Sequence, residues 1–432
     1  MAFVKNILAK TALPELDGVR AFACLSVISY HVYYFFSKSH HLPVITDGII
    51  AGIFNSGWSG VSLFFVLSGF LLFLPYAKAL LGDAQLPAAR TFYLRRVLRI
   101  MPAYYVSLVI LILILNPEFL QLDHLLNLGL FVTFLMDAPL TYQHINGPFW
   151  TLAIEWQYYM LLPLLAWGFS LLVRRGKSPE RRLQFISACL IGMICWGIGT
   201  RYLGRYFELH PTATLLVSRP VLDGILVVIY GSTGKYFENF AVGMLVSTLF
   251  VYARRQDVGA GVNTALTRSS LWLVSIGLLL LLFMSTWDVP PLRLSFLTPY
   301  IGAHNWLVEI GYALGYGLCI SGILFGPSWL KNGCSWAPLR WIGTISFSLY
   351  IWHVPLLIWL RDQVINPLQP SNLQAYLLYW GWVLLVIIPF AFLSYRLIEH
   401  PWMQLAQRQR GKEKQAQAEV HGEAKTRLQM GK

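Results

Sequence analysis

Charge is scarce in this sequence. Only 12% of its 432 residues are Asp, Glu, Lys or Arg, roughly half the ~25% with which a soluble domain coats itself for water. Cysteine is scarce and odd in number. Cys24, Cys189, Cys195, Cys319 and Cys334 include no CxxC pair, and most lie in apolar segments. They read as small packing residues, which sets aside a disulfide framework or a metal centre. The chain has no P-loop, no HExxH and no GxSxG, so ATP-driven transport, zincin chemistry and nucleophile-elbow hydrolysis find no support. The opening residues hold no long apolar run before a small-residue cleavage site. The first apolar stretch is therefore expected to stay in the protein as a helix. No repeat is visible at the level of residues, which counts against a transporter built from inverted repeats.

What is abundant is apolar surface. Hydrophobic residues make up 56% of the chain and the mean hydropathy is +0.56. Apolar runs near the bilayer-crossing length of about 20 residues recur throughout. The expected spans are 16–36, 57–80, 100–115, 149–173, 183–203, 236–252, 271–287, 305–325, 341–360 and 373–397. A further apolar piece, 125–136, is too short to cross and reads as re-entrant or interfacial. The fold class is therefore all-α, a polytopic membrane bundle of about ten helices with both termini cytoplasmic. The membrane unit is 1–402, and 403–432 is a polar tail rich in Gln, Lys, Glu and Ala.

The net charge of +13 does not point to nucleic acid, because the basic residues form clusters between apolar segments. Arg90, Arg95, Arg96 and Arg99, then RRGKSPERR, then Arg254, Arg255 and Arg268 follow the second, fourth and sixth spans. The positive-inside rule puts all three loops in the cytoplasm. Counting 125–136 as a span would push RRGKSPERR outside. The loop around Arg201, Arg205 and Arg219 is more basic than an outer loop should be; Glu208 and Asp223 flank it, and it is expected to line a polar cavity.

Ionisable residues inside membrane helices are costly, so each is a functional candidate. Arg20 and His31 are 11 residues apart in the first span, which brings them back to one helix face with a rise of about 16 Å. Arg20 then sits near the cytoplasmic surface and His31 past the midplane. The guanidinium suits a phosphate-bearing cosubstrate and the imidazole suits proton abstraction from a hydroxyl. The plain alternative is an interfacial Arg and a hydrogen-bonded His. In FYLRRVLRIMP, Arg96 and Arg99 share a face at the expected start of the third span, with Pro102 in its first turn. Each alone is a topology signal; with Arg20 they could bind a polyphosphate such as the nucleotide part of CoA.

Glu155, in GPFWTLAIEWQYY, lies among aromatics in the fourth span. It could orient His31, contact an acceptor or make a structural hydrogen bond. His353, in SFSLYIWHVPL ahead of Pro355, reads as structural rather than catalytic; Glu238 and Glu309 are weaker candidates. Ser68 and Gly69, in SLFFVLSGFLLF, permit close helix packing or room for a ligand chain.

Together these segments resemble the acyltransferase-3 membrane acyltransferases. The resemblance runs through ELDGVRAFACLSVISYHV, GVSLFFVLSGFLL, RRVLRIMPAYY, FWTLAIEWQYY, SFSLYIWHVPL and SYRLIEHPW, in family order, over about residues 14–402. YFENFAVGM fits a weaker element. The resemblance implies ten helices, a cytoplasmic acyl-CoA cosubstrate with no permanently bound cofactor, and an acceptor hydroxyl, often on a sugar, at the far side. By motif, His31 is the base and Arg20 its partner, Arg96 and Arg99 serve the donor with Ser68 and Gly69 beside them, and Glu155 serves the acceptor.

Family members often carry a second acidic residue after the one matching Glu155; here it is Trp156. The chain ends about 30 residues after the last motif, so the extra helix and C-terminal hydrolase-like domain of some relatives are not expected. The expected function is O-acylation, with acetyl the favoured group and a carbohydrate or cell-envelope glycan as acceptor. The setting is the multi-pass cytoplasmic membrane of a bacterium. The rival readings are an exporter of a modified glycan and an acyltransferase for a small hydrophobic metabolite such as a macrolide.

Overall fold

The computed structural model describes residues 13–38, 48–82, 84–287, 289, 293–297 and 306–406. Nearly all of the polar tail, from 407 onward, lies outside them, as does the expected start of the eighth span at Asn305. Ten helices occupy the expected spans: α1 Pro14–Lys38, α2 Ile49–Leu81, α3 Ala89–Leu115, α4 Phe149–Val173, α5 Pro179–Leu209, α6 Phe237–Ala253, α7 Ser270–Thr286, α8 Val308–Phe325, α9 Ala337–Leu368 and α10 Asn372–Ala406. Eight of them are long and apolar enough to cross a membrane alone. A ninth span forms when α7 is joined to Ala260–Arg268, from which it bends by 57°. At 17 residues, α6 is a shorter apolar helix. The protein is an all-α, multi-pass membrane bundle.

Residues 125–136 do not cross. They give a helix of eight residues, Leu125–Val132, and then turns. An independent contact agrees. Arg182, at the start of α5, donates to the carbonyl of Gly82 after α2 at 2.7 Å. Arg255, after α6, donates to the carbonyl of Leu81 at 2.6 Å. The loops after α2, α4 and α6 therefore share one face, so an even number of crossings separates them.

Several helices run longer than expected: α2 starts at Ile49, α9 ends at Leu368 and α10 at Ala406, and two further differences bear on the site. α3 starts at Ala89, not at 100, so Arg96 and Arg99 lie about two turns inside it and Pro102 is an interior proline. The apolar window used to place spans begins where the arginines stop, although arginine is itself a good helix former. The connection 204–235 is not all loop: α5 runs to Leu209 and Arg219–Ile229 is a helix.

Proline inside α9 has a visible consequence. Pro355 cannot hydrogen-bond back to the carbonyl of Ile351. Asn146, from the connection before α4, donates to that carbonyl at 2.9 Å. A buried polar group is thereby satisfied, as an apolar medium demands, and the connection is pinned beside His353.

α6 is buried against α2, α5 and α8. The α2–α6 contact rests on reciprocal glycines. A Cβ at Gly69 would lie 2.2 Å from the carbonyl oxygen of Phe240, and one at Gly243 would lie 2.0 Å from that of Val66. Both neighbours are backbone, which cannot swing aside. Gly243→Leu should destabilise the protein by about 1–3 kcal/mol or more, seen as a lower melting temperature in detergent by size-exclusion recovery. Gly168→Ala, with no atom within 4 Å of the added Cβ, should leave the melting temperature unchanged or raise it slightly.

Candidate active site

Two cavities lie between α1, α2, α4 and α9. The first, of 280 Å³, gathers Arg20 from α1, Ser68 from α2, Arg96 and Arg99 from α3, and Glu155 from α4. Five residues singled out from the sequence thus meet in one place. Ser68 Oγ donates to Glu155 Oε1 at 2.7 Å. Arg20 reaches Asp17 Oδ1 at 3.2 Å. The Arg96 guanidinium lies 5.7 Å from the ring centre of Tyr159 and 5.9 Å from that of Phe92. Among the described residues, neither Arg96 nor Arg99 has a carboxylate in ion-pair range. Arg96 Nε is buried with no hydrogen-bond partner. Three guanidiniums facing one carboxylate in a half-buried cavity favour an anion.

Two expectations change. Gly69 does not line this cavity; it faces the backbone of Phe240 and serves helix packing. Glu155 lines the arginine cavity and not the one that holds His31. The helix period explains this: Thr151, Glu155 and Tyr159 follow at intervals of four on one face of α4, and all three line the arginine cavity.

The second cavity, of 610 Å³, holds His31, with Tyr30, Trp58, Tyr142, Trp150 and Tyr236 among its walls. It is built largely of aromatics with polar tips, surfaces that suit the apolar faces and hydroxyls of a sugar. Burial pushes the Tyr142 hydroxyl up to about 12, so it remains a neutral donor near physiological pH. Tyr236 enters α6 in the left-handed conformation, at φ 55°. Its ring lies 5.6 Å from that of Trp150 and 4.4 Å below the guanidinium of Arg201.

His31 is oriented by its neighbours. Its Nδ1 is 2.9 Å from the carbonyl of Val27 and 3.2 Å from Nε2 of His353. A carbonyl only accepts, so Nδ1 carries the proton. The Nδ1 of His353 is 3.1 Å from the carbonyl of Leu349 and 2.9 Å from that of Tyr350. It donates there, which leaves Nε2 of His353 as an acceptor for His31. The hydrogen-bond network therefore assigns the tautomer of both rings. The lone pair of His31 is left on Nε2, the arrangement a general base needs.

Sequence reasoning did not anticipate this role for His353, because its partner lies 322 residues away. It also passed over Ser62, Tyr350, Asp137 and Lys235. Ser62 lines the histidine cavity and donates to Glu309 Oε2 at 2.6 Å. Lys235 pairs with Asp137, which accepts from Gln157 at 2.8 Å. Arg201 pairs with Glu238 at 2.7 Å, both buried, so its charge is matched inside the bundle. Arg205 and Arg219 instead pair near the surface with Glu208 and Asp223. Among the described residues, no cluster of His, Cys, Asp and Glu is suited to a metal ion.

The Arg201–Glu238 pair predicts a stability effect. Glu238→Ala leaves a buried guanidinium without its counter-ion and should destabilise by about 3–5 kcal/mol. The double replacement Arg201→Met, Glu238→Leu should destabilise less than the single one. Thermal unfolding of the purified variants checks both.

The family model described as an acyltransferase domain, Acyl_transf_3, matches residues 13–396. The peptidoglycan O-acetyltransferase OatA of Listeria monocytogenes is 27% identical over 420 residues, covering 90% of this chain and 55% of its own. The Bacillus subtilis protein named "Putative peptidoglycan O-acetyltransferase YrhL" is 27% identical over 411 residues, covering 90% of this chain and 54% of its own. The chain thus spans about half the length of these curated relatives. No solved structure matches it significantly. With the matched residues running from the start of α1 into α10, the chain belongs to the acyltransferase-3 family.

Proposed function

We propose that this protein is a membrane O-acetyltransferase. An acyl-CoA, held by its phosphates at the arginine cavity, gives its acetyl group to a hydroxyl of a cell-envelope glycan in the histidine cavity. The observation that carries the reading is the oriented His31, whose cavity abuts one lined by three arginines. The arginine surplus supports an anionic donor, and the peptidoglycan acceptors named for the relatives support the acceptor class. The arginine-rich loops after α2, α4 and α6 share the face toward which the arginine cavity lies. By the positive-inside rule that face is cytoplasmic, where acyl-CoA is found.

In this mechanism the acceptor hydroxyl gives its proton to Nε2 of His31 as its oxygen bonds to the thioester carbonyl carbon. The carbon–sulfur bond then breaks. CoA leaves as the thiolate and takes the proton back from the imidazolium. His353 touches neither substrate; it is a positioning residue that holds the Nδ1 proton of His31 in place. Arg96 and Arg99 bind the donor, and Glu155 with Ser68 braces the wall beside them.

The test is CoA release from acetyl-CoA by the protein in nanodiscs, with soluble peptidoglycan fragments as acceptor. His31→Ala should lower kcat by roughly 10²–10⁴-fold while remaining folded. Release equal to wild type would remove His31 as the base, and no release from either protein would put a glycan carrier ahead of an enzyme. Arg96→Ala should raise KM for acetyl-CoA about tenfold or more with kcat nearly kept. His353→Ala should lower kcat at unchanged KM, and His353→Gln, whose amide oxygen still accepts from His31, should recover part of the loss.

A further inference from the structure

The two cavities share only two of their lining residues, Val61 of α2 and Tyr350 of α9. Arg20, Arg96, Arg99 and Glu155 lie on one side of that wall and His31 on the other. The helices that line both cavities agree: arginine-cavity residues come first on α1 and α9 and last on the oppositely running α2 and α4. On α1, Arg20 precedes His31. On α9, Ser346 and Phe347 line the arginine cavity, Val354 and Ile358 the histidine cavity, and Tyr350 both.

Tyr350 is held firmly in this position. Thr151 Oγ1 is 2.9 Å from the carbonyl of Pro148, to which it donates. The Tyr350 hydroxyl, 2.8 Å from the same Oγ1, is then the donor to it. Phe64 meets the tyrosine ring edge-on, with centroids 5.9 Å apart. The His353 ring lies at 5.7 Å. Tyr350 is therefore braced on the arginine side by Phe64 and Thr151, and on the histidine side by the ring that orients His31.

If transfer runs as proposed above, the thioester carbonyl must reach a hydroxyl beside Nε2 of His31, so the acyl group must lie at the wall. The arginine cavity adds to the constraint, because its 280 Å³ is at or below the lower end of the roughly 300–1,000 Å³ typical of small-molecule sites. We propose that Val61 and Tyr350 are the acyl-length selector, admitting a two-carbon acyl group and rejecting longer chains. This rests on the acyltransferase reading and goes beyond it by naming the residues that choose the donor. A rigid apolar wall discriminates by methylene groups, each worth about 10–200-fold.

The experiment measures kcat/KM for acetyl-, propionyl- and butyryl-CoA, with soluble peptidoglycan fragments as acceptor, in wild type, Val61→Ala, Val61→Leu and Tyr350→Phe. Wild type should fall about tenfold or more with each added methylene. Val61→Ala should raise the butyryl-to-acetyl ratio about tenfold. Tyr350→Phe removes the tether to Thr151 at constant ring size and should raise the ratio less. Val61→Leu should lower it further. A ratio within twofold of wild type in all three folded variants overturns the selector while acetyl turnover by wild type upholds the acyltransferase. Loss of folding in one variant leaves the others to decide. Absence of CoA release from every thioester by wild type overturns both.

Discussion

The close approach of α1 and α9 is the contact on which the site depends. A Cβ on Gly343 would lie 1.9 Å from the carbonyl oxygen of Asp17, and one on Gly18 would lie 1.7 Å from that of Cys334. Glycine at 343 lets the α1 and α9 backbones nearly touch at one end of the pair, and glycine at 18 lets α1 touch the short helix Ser328–Cys334 that precedes α9. Further along, the two helices bring His353 Nε2 to 3.2 Å from His31 Nδ1. A side chain on Gly343 would push α1 and α9 apart at that end, and the histidine hydrogen bond has only tenths of an ångström to give. Helix packing at one end thus sets the histidine hydrogen bond at the other.

The same economy governs the other polar groups. In a bilayer each unsatisfied donor or acceptor costs several kcal/mol, and several of the bundle's interior polar groups are paired accordingly. Pro355 frees a carbonyl and Asn146 takes it. Glu399 accepts from Ser348, and Ser394 accepts from Trp352 at 3.0 Å. Glu238 answers Arg201, and Ser62 answers Glu309. Against that background, it is informative that among the described residues neither Arg96 nor Arg99 has a carboxylate partner, Arg99 reaching only Met403 Sδ at 3.8 Å. The buried Arg201 and Lys235 have carboxylate partners, whereas Arg96 and Arg99 face a cavity, and a ligand carrying negative charge is the group that would complete them.

Much of this was legible in the sequence because it follows from period and length. The Arg20–His31 spacing gave a shared face and a depth difference, and the two residues indeed line cavities on opposite sides of one wall. Apolar run length and the pattern of arginines gave ten helices and excluded residues 125–136 as a span. What was not legible depends on pairing between distant segments. Nothing within α4 says whether the face holding Glu155 meets arginines or a histidine; that is decided by which helices pack beside it. Gly69 carries the same small-residue signal whether it makes room for a ligand or for Phe240. His353 gains its role only through a residue on α1, and Tyr350 only through standing between two cavities.

Under the proposed transfer from a phosphate-bearing thioester to a glycan, dividing the site in two has a physical logic. A phosphate-bearing donor needs cations and water at the mouth; a glycan needs aromatic faces and neutral hydrogen-bond donors. One open passage serving both would admit water between them. Water there would compete with the acceptor hydroxyl for the thioester and weaken the electrostatic interactions that the apolar surroundings strengthen. A wall of one aliphatic and one tethered aromatic side chain avoids this. It keeps the arginines and the imidazole in separate cavities, and it leaves His31 facing only what occupies its own cavity. In the proposed transfer the acyl group is the one part of the donor that must reach the wall, so the wall is where its size would be judged.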